Sequence, residues 1–117
     1  QNAMIVDSSA LPEQVIDDVL ISAFGSAGQR CSALRVLYLQ NDIADKMIEM
    51  LKGAMALQSV GKPDSMSCDI GPVIDAEALS TLEKHKAWLN RNARHVASVP
   101  IDESIKDKGT VFCALRA

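Results

Sequence analysis

Apolar and polar positions recur with two different periods along the first part of the chain. An apolar run over residues 3–6 predicts a short buried strand. Over residues 12–24, apolar side chains recur in pairs four positions apart, which is typical of an amphipathic helix packed on a core. Pro12 suits the first turn of this helix. Gly25 and Gly28 predict its end.

The pattern continues with a second strand and two more helices. Residues 34–39 are rich enough in apolar side chains to predict a strand buried on both faces. We expect Asn41 to cap a second helix with an apolar face that extends to Met55, and Asp75 to cap a third helix. The third helix would carry His85 on its apolar face, as a packed and hydrogen-bonded imidazole.

The last part of the chain carries weaker signals. Residues 95–99 are a weak strand candidate, residues 102–108 a charged connection, and residues 109–115 a final strand. The order strand, helix, strand, helix, helix, strand, strand predicts an α/β structure, with helices flanking a layered sheet. Residues 1–117 suffice for one small domain at most.

Composition and charge argue against several classes of function. The 117 residues are 48% hydrophobic and carry a net charge of -3, which offers no basic surface for nucleic acid. No apolar run approaches the roughly 20 residues that span a membrane, and the N-terminus has no signal-peptide pattern. Cys31, Cys68 and Cys113 match neither a metal-site spacing nor a CxxC motif. We therefore expect no metal and a reducing, cytoplasmic setting.

The segment from Phe24 to Ala33 places a cysteine between the end of a helix and the start of a strand. A thiol at such a junction has a rigid base and can face a ligand, which suits a nucleophile. Cysteine attacks as the thiolate, and the positive charge of Arg30 beside Cys31 would favour that form. The alternative is an inert buried thiol, and the residues alone leave both interpretations open.

Phe24 followed by Gly28-Gln29-Arg30-Cys31 resembles the cysteine signature of the aldehyde dehydrogenase superfamily, F-x-x-x-G-Q-x-C. Residues 1–7 are similar to the stretch that follows the superfamily's Glu-x-Gly-Gly motif. A narrower resemblance is to the 1-pyrroline-5-carboxylate (glutamate semialdehyde) dehydrogenase half of the bifunctional proline utilization A family. It is carried by residues 1–11, 22–36 and 69–75.

This resemblance implies a fragment, over residues 1–117, of the cysteine-bearing catalytic domain of an NAD(P)-dependent aldehyde dehydrogenase. It implies a mostly parallel, incomplete sheet and no complete dinucleotide-binding domain. The expected reaction is oxidation of L-glutamate 5-semialdehyde to L-glutamate in proline catabolism. Cys31 would be the catalytic nucleophile, and Arg30 and Ser32 would bind the substrate carboxylate. The glutamate that activates water would precede Gln1.

The resemblance also implies cofactors and partners. NAD, or alternatively NADP, would serve the complete enzyme, and FAD would be present only if the same polypeptide had a proline dehydrogenase domain. No cofactor is expected on these residues alone. We expect a homo-oligomer in the cytoplasm, with a peripheral location at the inner membrane as the alternative. The isolated chain is expected to be inactive, and to be marginally stable or self-associating because its sheet edges are uncovered.

Two alternatives differ in class from this interpretation. A Cys–His hydrolase or transferase would pair Cys31 with His85 or His95. His85, however, falls on an apolar helix face, and His95 has no orienting acid nearby in the sequence. A structural or oligomerisation module would use Cys31 for packing only. We assign no role to Cys68 or Cys113.

Overall fold

The computed structural model of the chain describes residues 1–102 and Ile105. Its elements in chain order are β1 (Asn2–Val6), α1 (Pro12–Val19), a π-helical turn (Leu20–Phe24), a 3-10 turn (Gly25–Gly28), β2 (Leu34–Leu39), α2 (Asn41–Ala56) and α3 (Ala76–Asn92). The predicted order from the first strand to the third helix is confirmed. Residues 95–99 form no strand and contain only a bridge position at Ser98. The predicted strand over residues 109–115 lies outside the described residues.

The two strands pair in parallel, with Ile5 opposite Tyr38 and Val6 opposite Leu39. Successive side chains of a strand point to opposite faces. Val6 is buried and Leu39 packs against the core, whereas Ile5 is 83% and Tyr38 58% exposed. The prediction that β2 is buried on both faces is therefore wrong. In the described part of the chain, the helical layer covers only one face of this two-stranded sheet.

The core lies between this sheet and the buried faces of α1 and α2. Pro12 opens α1 at a position that suits its fixed φ, as predicted. Both helices repeat apolar residues at three- and four-residue spacings on the face they bury, which confirms the predicted faces. The buried core cluster is apolar throughout and consists of Val6, Val15, Ile16, Val19, Phe24, Ala27, Leu34, Met47, Leu51, Met55, Ile70, Val73 and Val99.

Side-chain and backbone contacts set the starts of α2 and α3. Asp75 caps α3 as predicted, because its carboxylate accepts a hydrogen bond from the Ala78 amide at 2.8 Å. The predicted cap at Asn41 is wrong by one residue, since Gln40 is the N-cap and Asn41 the first residue of α2. The backbone amide of Gln40 donates to the carbonyl of Val6 at 2.9 Å. That bond ties the start of α2 to the end of β1.

α3 touches the core only through its first half. Ala78, Leu79 and Leu82 pack against the buried cluster, and no residue of α3 is itself buried. His85, further along the helix, is exposed and stacks on Trp88 with ring centroids 6.0 Å apart and an interplanar angle of 10°. The packed, hydrogen-bonded imidazole expected for His85 is therefore wrong, because this part of the helix face has no core to pack against among the described residues.

Candidate active site

Cys31 lies at the corner of the turn that leads into β2. The amide of Ala33 donates to the carbonyl of Arg30 at 3.1 Å, so Cys31 and Ser32 are the central residues of a β-turn. Both are exposed, and the Cys31 thiol is free. Gly28, before the turn, and Ala33, the last residue of the turn, are buried. The turn therefore presents a thiol and a hydroxyl at the surface from a buried base.

Left-handed backbone precedes this turn. Ser26, Ala27 and Gly28 have φ values of 56°, 52° and 66°. For the first two residues this conformation costs roughly 1–2 kcal/mol each, because a Cβ crowds the following carbonyl. A Cβ at Gly28 would lie 2.7 Å from Nη1 of Arg35 and 2.9 Å from the carbonyl oxygen of Ala23. Glycine at this position lets the chain leave the helical segment and enter the cysteine turn.

Side chains from both strands hold the turn in place. Nδ2 of Asn2 on β1 donates to the Cys31 carbonyl at 2.6 Å and to the Ala33 carbonyl at 3.3 Å. Nη2 of Arg35 on β2 donates to the Gly28 carbonyl. These bonds join the sheet to the backbone on both sides of the nucleophile candidate. The position of Cys31 is therefore coupled to the sheet.

Gln29 connects the cysteine loop to the segment before α3. Its Nε2 donates to the Ser26 carbonyl at 3.0 Å and to the Pro72 carbonyl at 3.2 Å. Its Oε1 accepts a hydrogen bond from the Ile74 amide at 2.7 Å. One side chain thus spans two loops that are more than 40 residues apart in the sequence.

The guanidinium of Arg30 points along the end of the helical segment. Its Nη2 donates to the Ile21 carbonyl at 2.6 Å, where the partial negative charge of a helix C-terminus favours a cation. Arg30 lines a cleft of about 430 Å³, together with Asp17, Gln58 and Asp69. The structure therefore places Cys31 and Ser32 on one turn and directs the Arg30 guanidinium into this cleft.

A fixed negative group lies in the same cleft. Oδ2 of Asp69 accepts hydrogen bonds from the Ser59 amide at 2.8 Å and from the Ser59 hydroxyl at 2.9 Å. These two bonds, the backbone bond first, lower the pKa of Asp69 below its ordinary value of 3.8. The cleft thus combines the Arg30 guanidinium with two carboxylates, Asp17 and Asp69, of which Asp69 has a lowered pKa.

The two histidines considered from the sequence, His85 and His95, contact residues of their own segments. Nε2 of His95 lies 2.8 Å from the Ser98 hydroxyl oxygen, and His85 stacks on Trp88. Neither contact favours a Cys–His pair with Cys31. Among residues 1–102 and Ile105, no group of three His, Cys, Asp or Glu side chains could hold a metal ion. No helix within those limits is long and apolar enough to cross a bilayer.

The sequence pattern did not reveal Asn2 or Arg35 as supports of the turn. Asn2 reaches Cys31 across 29 residues, and no local spacing encodes such a contact. The only available signal was the pairing of the two predicted strands, because their start brings Asn2 opposite Leu34. Residue type alone would have indicated an ordinary exposed amide.

Comparison with known families shows which family the chain belongs to. The model of the "Aldehyde dehydrogenase family" matches residues 1–114. The chain belongs to the aldehyde dehydrogenase family. This confirms both the family predicted from the cysteine signature and the incomplete α/β fold of that family.

Within this family, the similar proteins include several that are named PutA or proline utilization A. The chain is 60% identical over 95 residues to "Bifunctional protein PutA" of Escherichia coli K12. The matched region is 81% of the chain and 7% of that protein. It is 56% identical over 100 residues to the Rhizobium meliloti protein of the same name, covering 85% of the chain and 8% of that protein. A crystal structure of a point mutant of Bradyrhizobium japonicum proline utilization A matches with a TM-score of 0.89 and 48% identity, over 98% of the chain and 11% of that structure. The chain therefore spans less than a tenth of the Escherichia coli and Rhizobium meliloti proteins.

Proposed function

We propose that residues 1–117 carry the nucleophile of an NAD(P)-dependent aldehyde dehydrogenase that oxidises L-glutamate 5-semialdehyde to L-glutamate. The observation that carries the proposal is the exposed, free thiol of Cys31 on a turn that Asn2 holds and that Arg35 anchors at Gly28 before it. Similarity to proteins named as bifunctional PutA supports the choice of substrate. Because the thiol is exposed rather than packed, a purely structural role for Cys31 is less well supported.

The chemistry assigned to Cys31 is covalent. Its thiolate would attack the aldehyde carbon, and the new C–S bond gives a thiohemiacetal. Loss of a hydride from that carbon and of the proton from its hydroxyl group leaves a thioester, and accepting this hydride is the chemistry that NAD(P) would supply when bound. Water then cleaves the C–S bond, releasing the carboxylic acid and restoring the thiol. The residue supplies the nucleophile and the leaving group in turn.

Ser32 and Arg30 are proposed to bind the carboxylate of the substrate. Ser32 shares the turn with Cys31, so its hydroxyl can donate to a group that also reaches the thiol. Arg30 bonds to the Ile21 carbonyl through Nη2. A guanidinium has further N–H donors, which can bind a carboxylate through charge-assisted hydrogen bonds.

The described residues do not fit a dinucleotide. A phosphate of such a cofactor usually binds at a glycine-rich turn between a strand and a helix. Residues 7–11, which join β1 to α1, contain no glycine. We therefore propose that the 117-residue chain alone does not reduce NAD. FAD would be needed only by a polypeptide that also carries a proline dehydrogenase domain.

Two further observations support the proposals on location and assembly. The free thiols of Cys31 and Cys68 support a reducing, cytoplasmic setting. The exposed apolar pair of Ile5 and Tyr38 on the uncovered face of the sheet supports self-association of the isolated chain. Membership of the aldehyde dehydrogenase family supports a homo-oligomer for the whole polypeptide.

The test uses the whole polypeptide that contains residues 1–117. Cys31→Ser should lower kcat for NAD reduction with glutamate semialdehyde by at least about 1000-fold, because a hydroxyl is a much weaker nucleophile. Cys68→Ser is the matched control and should retain the wild-type kcat. Mass spectrometry of the rapidly quenched wild-type enzyme should find the acyl group on the peptide that contains Cys31. Wild-type turnover by Cys31→Ser would contradict the proposal.

A further inference from the structure

Asn2 bonds to the backbone of the cysteine turn on both sides of Ser32. Its Nδ2 lies 2.6 Å from the Cys31 carbonyl oxygen and 3.3 Å from that of Ala33. We infer that Asn2 is a positioning residue, which fixes the peptide plane that follows the nucleophile. The inference rests on the proposed function of Cys31.

The sheet holds Asn2 at a defined place relative to the turn. Asn2 pairs with Leu34 and Ala3 with Val36, so the register shifts by one residue and leaves Arg35 without a partner in the ladder. Such a bulge redirects the side chain of the extra residue. Arg35 donates to the Gly28 carbonyl. At this irregularity Asn2 on β1 therefore bonds to the turn, and Arg35 on β2 bonds to Gly28 before the turn.

The bond from Asn2 to the Cys31 carbonyl orients the whole peptide group between Cys31 and Ser32. In a trans peptide the C=O and N–H groups point in opposite directions, and the described residues contain no cis peptide. Holding the Cys31 carbonyl toward Asn2 therefore directs the Ser32 amide away from Asn2. No backbone hydrogen bond within the described ranges occupies that amide. The orientation of the Cys31 backbone, and with it the direction of the thiol, depends on this contact.

Attack on a carbonyl demands a defined approach, and a misplacement of about 1 Å costs about 100-fold in rate. Alkylation by iodoacetamide needs an accessible thiol but not the geometry of a bound aldehyde. A residue that only positions the thiol should therefore affect kcat strongly and alkylation weakly. A residue that only stabilises the fold should change both together with the thermal denaturation temperature.

The experiment compares Asn2→Ala and Asn2→Asp with wild type in the whole polypeptide that contains residues 1–117. Neither variant keeps the amide donor, and the second keeps the shape of the side chain. We expect kcat to fall about 10- to 100-fold in both, with KM for the aldehyde and the rate of Cys31 alkylation within about threefold of wild type. Asn92→Ala is the matched control, because it removes another amide bond to a carbonyl, that of Trp88 at 2.8 Å. Its kcat should equal that of wild type.

The outcomes separate the inference from the function on which it rests. If both Asn2 variants turn over at the wild-type rate while Cys31→Ser does not, the positioning role is wrong and the proposed function stands. If kcat, alkylation and denaturation temperature fall together in both variants, Asn2 is a general structural residue and the inference is overturned. If wild-type turnover does not depend on Cys31, the proposed function fails and the inference fails with it.

Discussion

The core beneath α1 and α2 and the turn that carries Cys31 are held by different kinds of interaction. In the described part of the chain the core is built from apolar side chains alone, with Met47 only 1% exposed. The turn is exposed, and the Asn2 side chain holds its backbone through hydrogen bonds to the Cys31 and Ala33 carbonyls. Apolar burial is non-directional and scales with area, whereas hydrogen bonds depend on direction. We therefore expect mutations to separate stability from the placement of the thiol.

The largest expected effect on stability tests the core side of this comparison. Met47→Ala removes a fully buried side chain of α2 and should lower the free energy of unfolding by about 2–5 kcal/mol. Urea denaturation measures this difference. Met66→Ala is the matched control, since Met66 is fully exposed and its loss should change the free energy by less than about 0.5 kcal/mol. Equal losses in the two variants would contradict the assignment of the core.

A substitution at Gly28, which lies between the core and the turn, should have an intermediate effect on the free energy of unfolding. Gly28→Ala places a methyl group 2.7 Å from Arg35 in a left-handed conformation, and should cost about 1–3 kcal/mol of unfolding free energy. The rate of Cys31 alkylation should change as well, because the loop must shift. Urea denaturation and timed labelling with iodoacetamide measure the two quantities.

Gly53→Ala provides the control for that substitution. Gly53 lies inside α2, and a Cβ there would have no neighbour within 4 Å. Alanine should therefore stabilise the protein by about 0.4–1 kcal/mol and leave the alkylation rate unchanged. Comparable destabilisation at both glycines would show that the strain at Gly28 has no special importance.

The helices and strands were largely predictable because their patterns are local. The four-residue repeats of α1 and α2 define both the helices and their buried faces. Coverage of a strand is a tertiary property, so the apolar run at residues 34–39 predicted the strand correctly but its burial wrongly. The same reason applies to His85, whose helical position was correct while the core expected beneath it was absent among the described residues.

The candidate site also has a part that the sequence predicts and a part that it does not. Cys31 and its neighbours could be identified from a contiguous signature, although their chemical roles stay predictions. Asn2 could not be identified, because its contact with Cys31 spans 29 residues and depends on the register shift between the two strands. Supports of this kind become visible only when the pairing of the strands is known.

The smallest expected effect on stability concerns an exposed polar contact, that between Asp69 and Ser59. The pKa of Asp69 is lowered from 3.8 because its carboxylate accepts hydrogen bonds from the Ser59 amide and hydroxyl. A lowered pKa in the folded state contributes stability that is present above pH 3.8 and is lost as the pH falls through the folded value, which lies below it. The free energy of unfolding of the wild type should therefore decline below about pH 4 more than that of Asp69→Asn. Urea denaturation across this range measures the decline.

Asp64→Asn removes an exposed carboxylate from the same loop and serves as the control. It should retain the part of the acid-induced loss that depends on Asp69, because the bonds to Ser59 remain. If Asp69→Asn loses stability with acid as steeply as the wild type does, the hydrogen bonds to Ser59 contribute nothing measurable. A polar contact at the surface would then fix local geometry without stabilising the fold, which is the role that we assign to the contacts around Cys31.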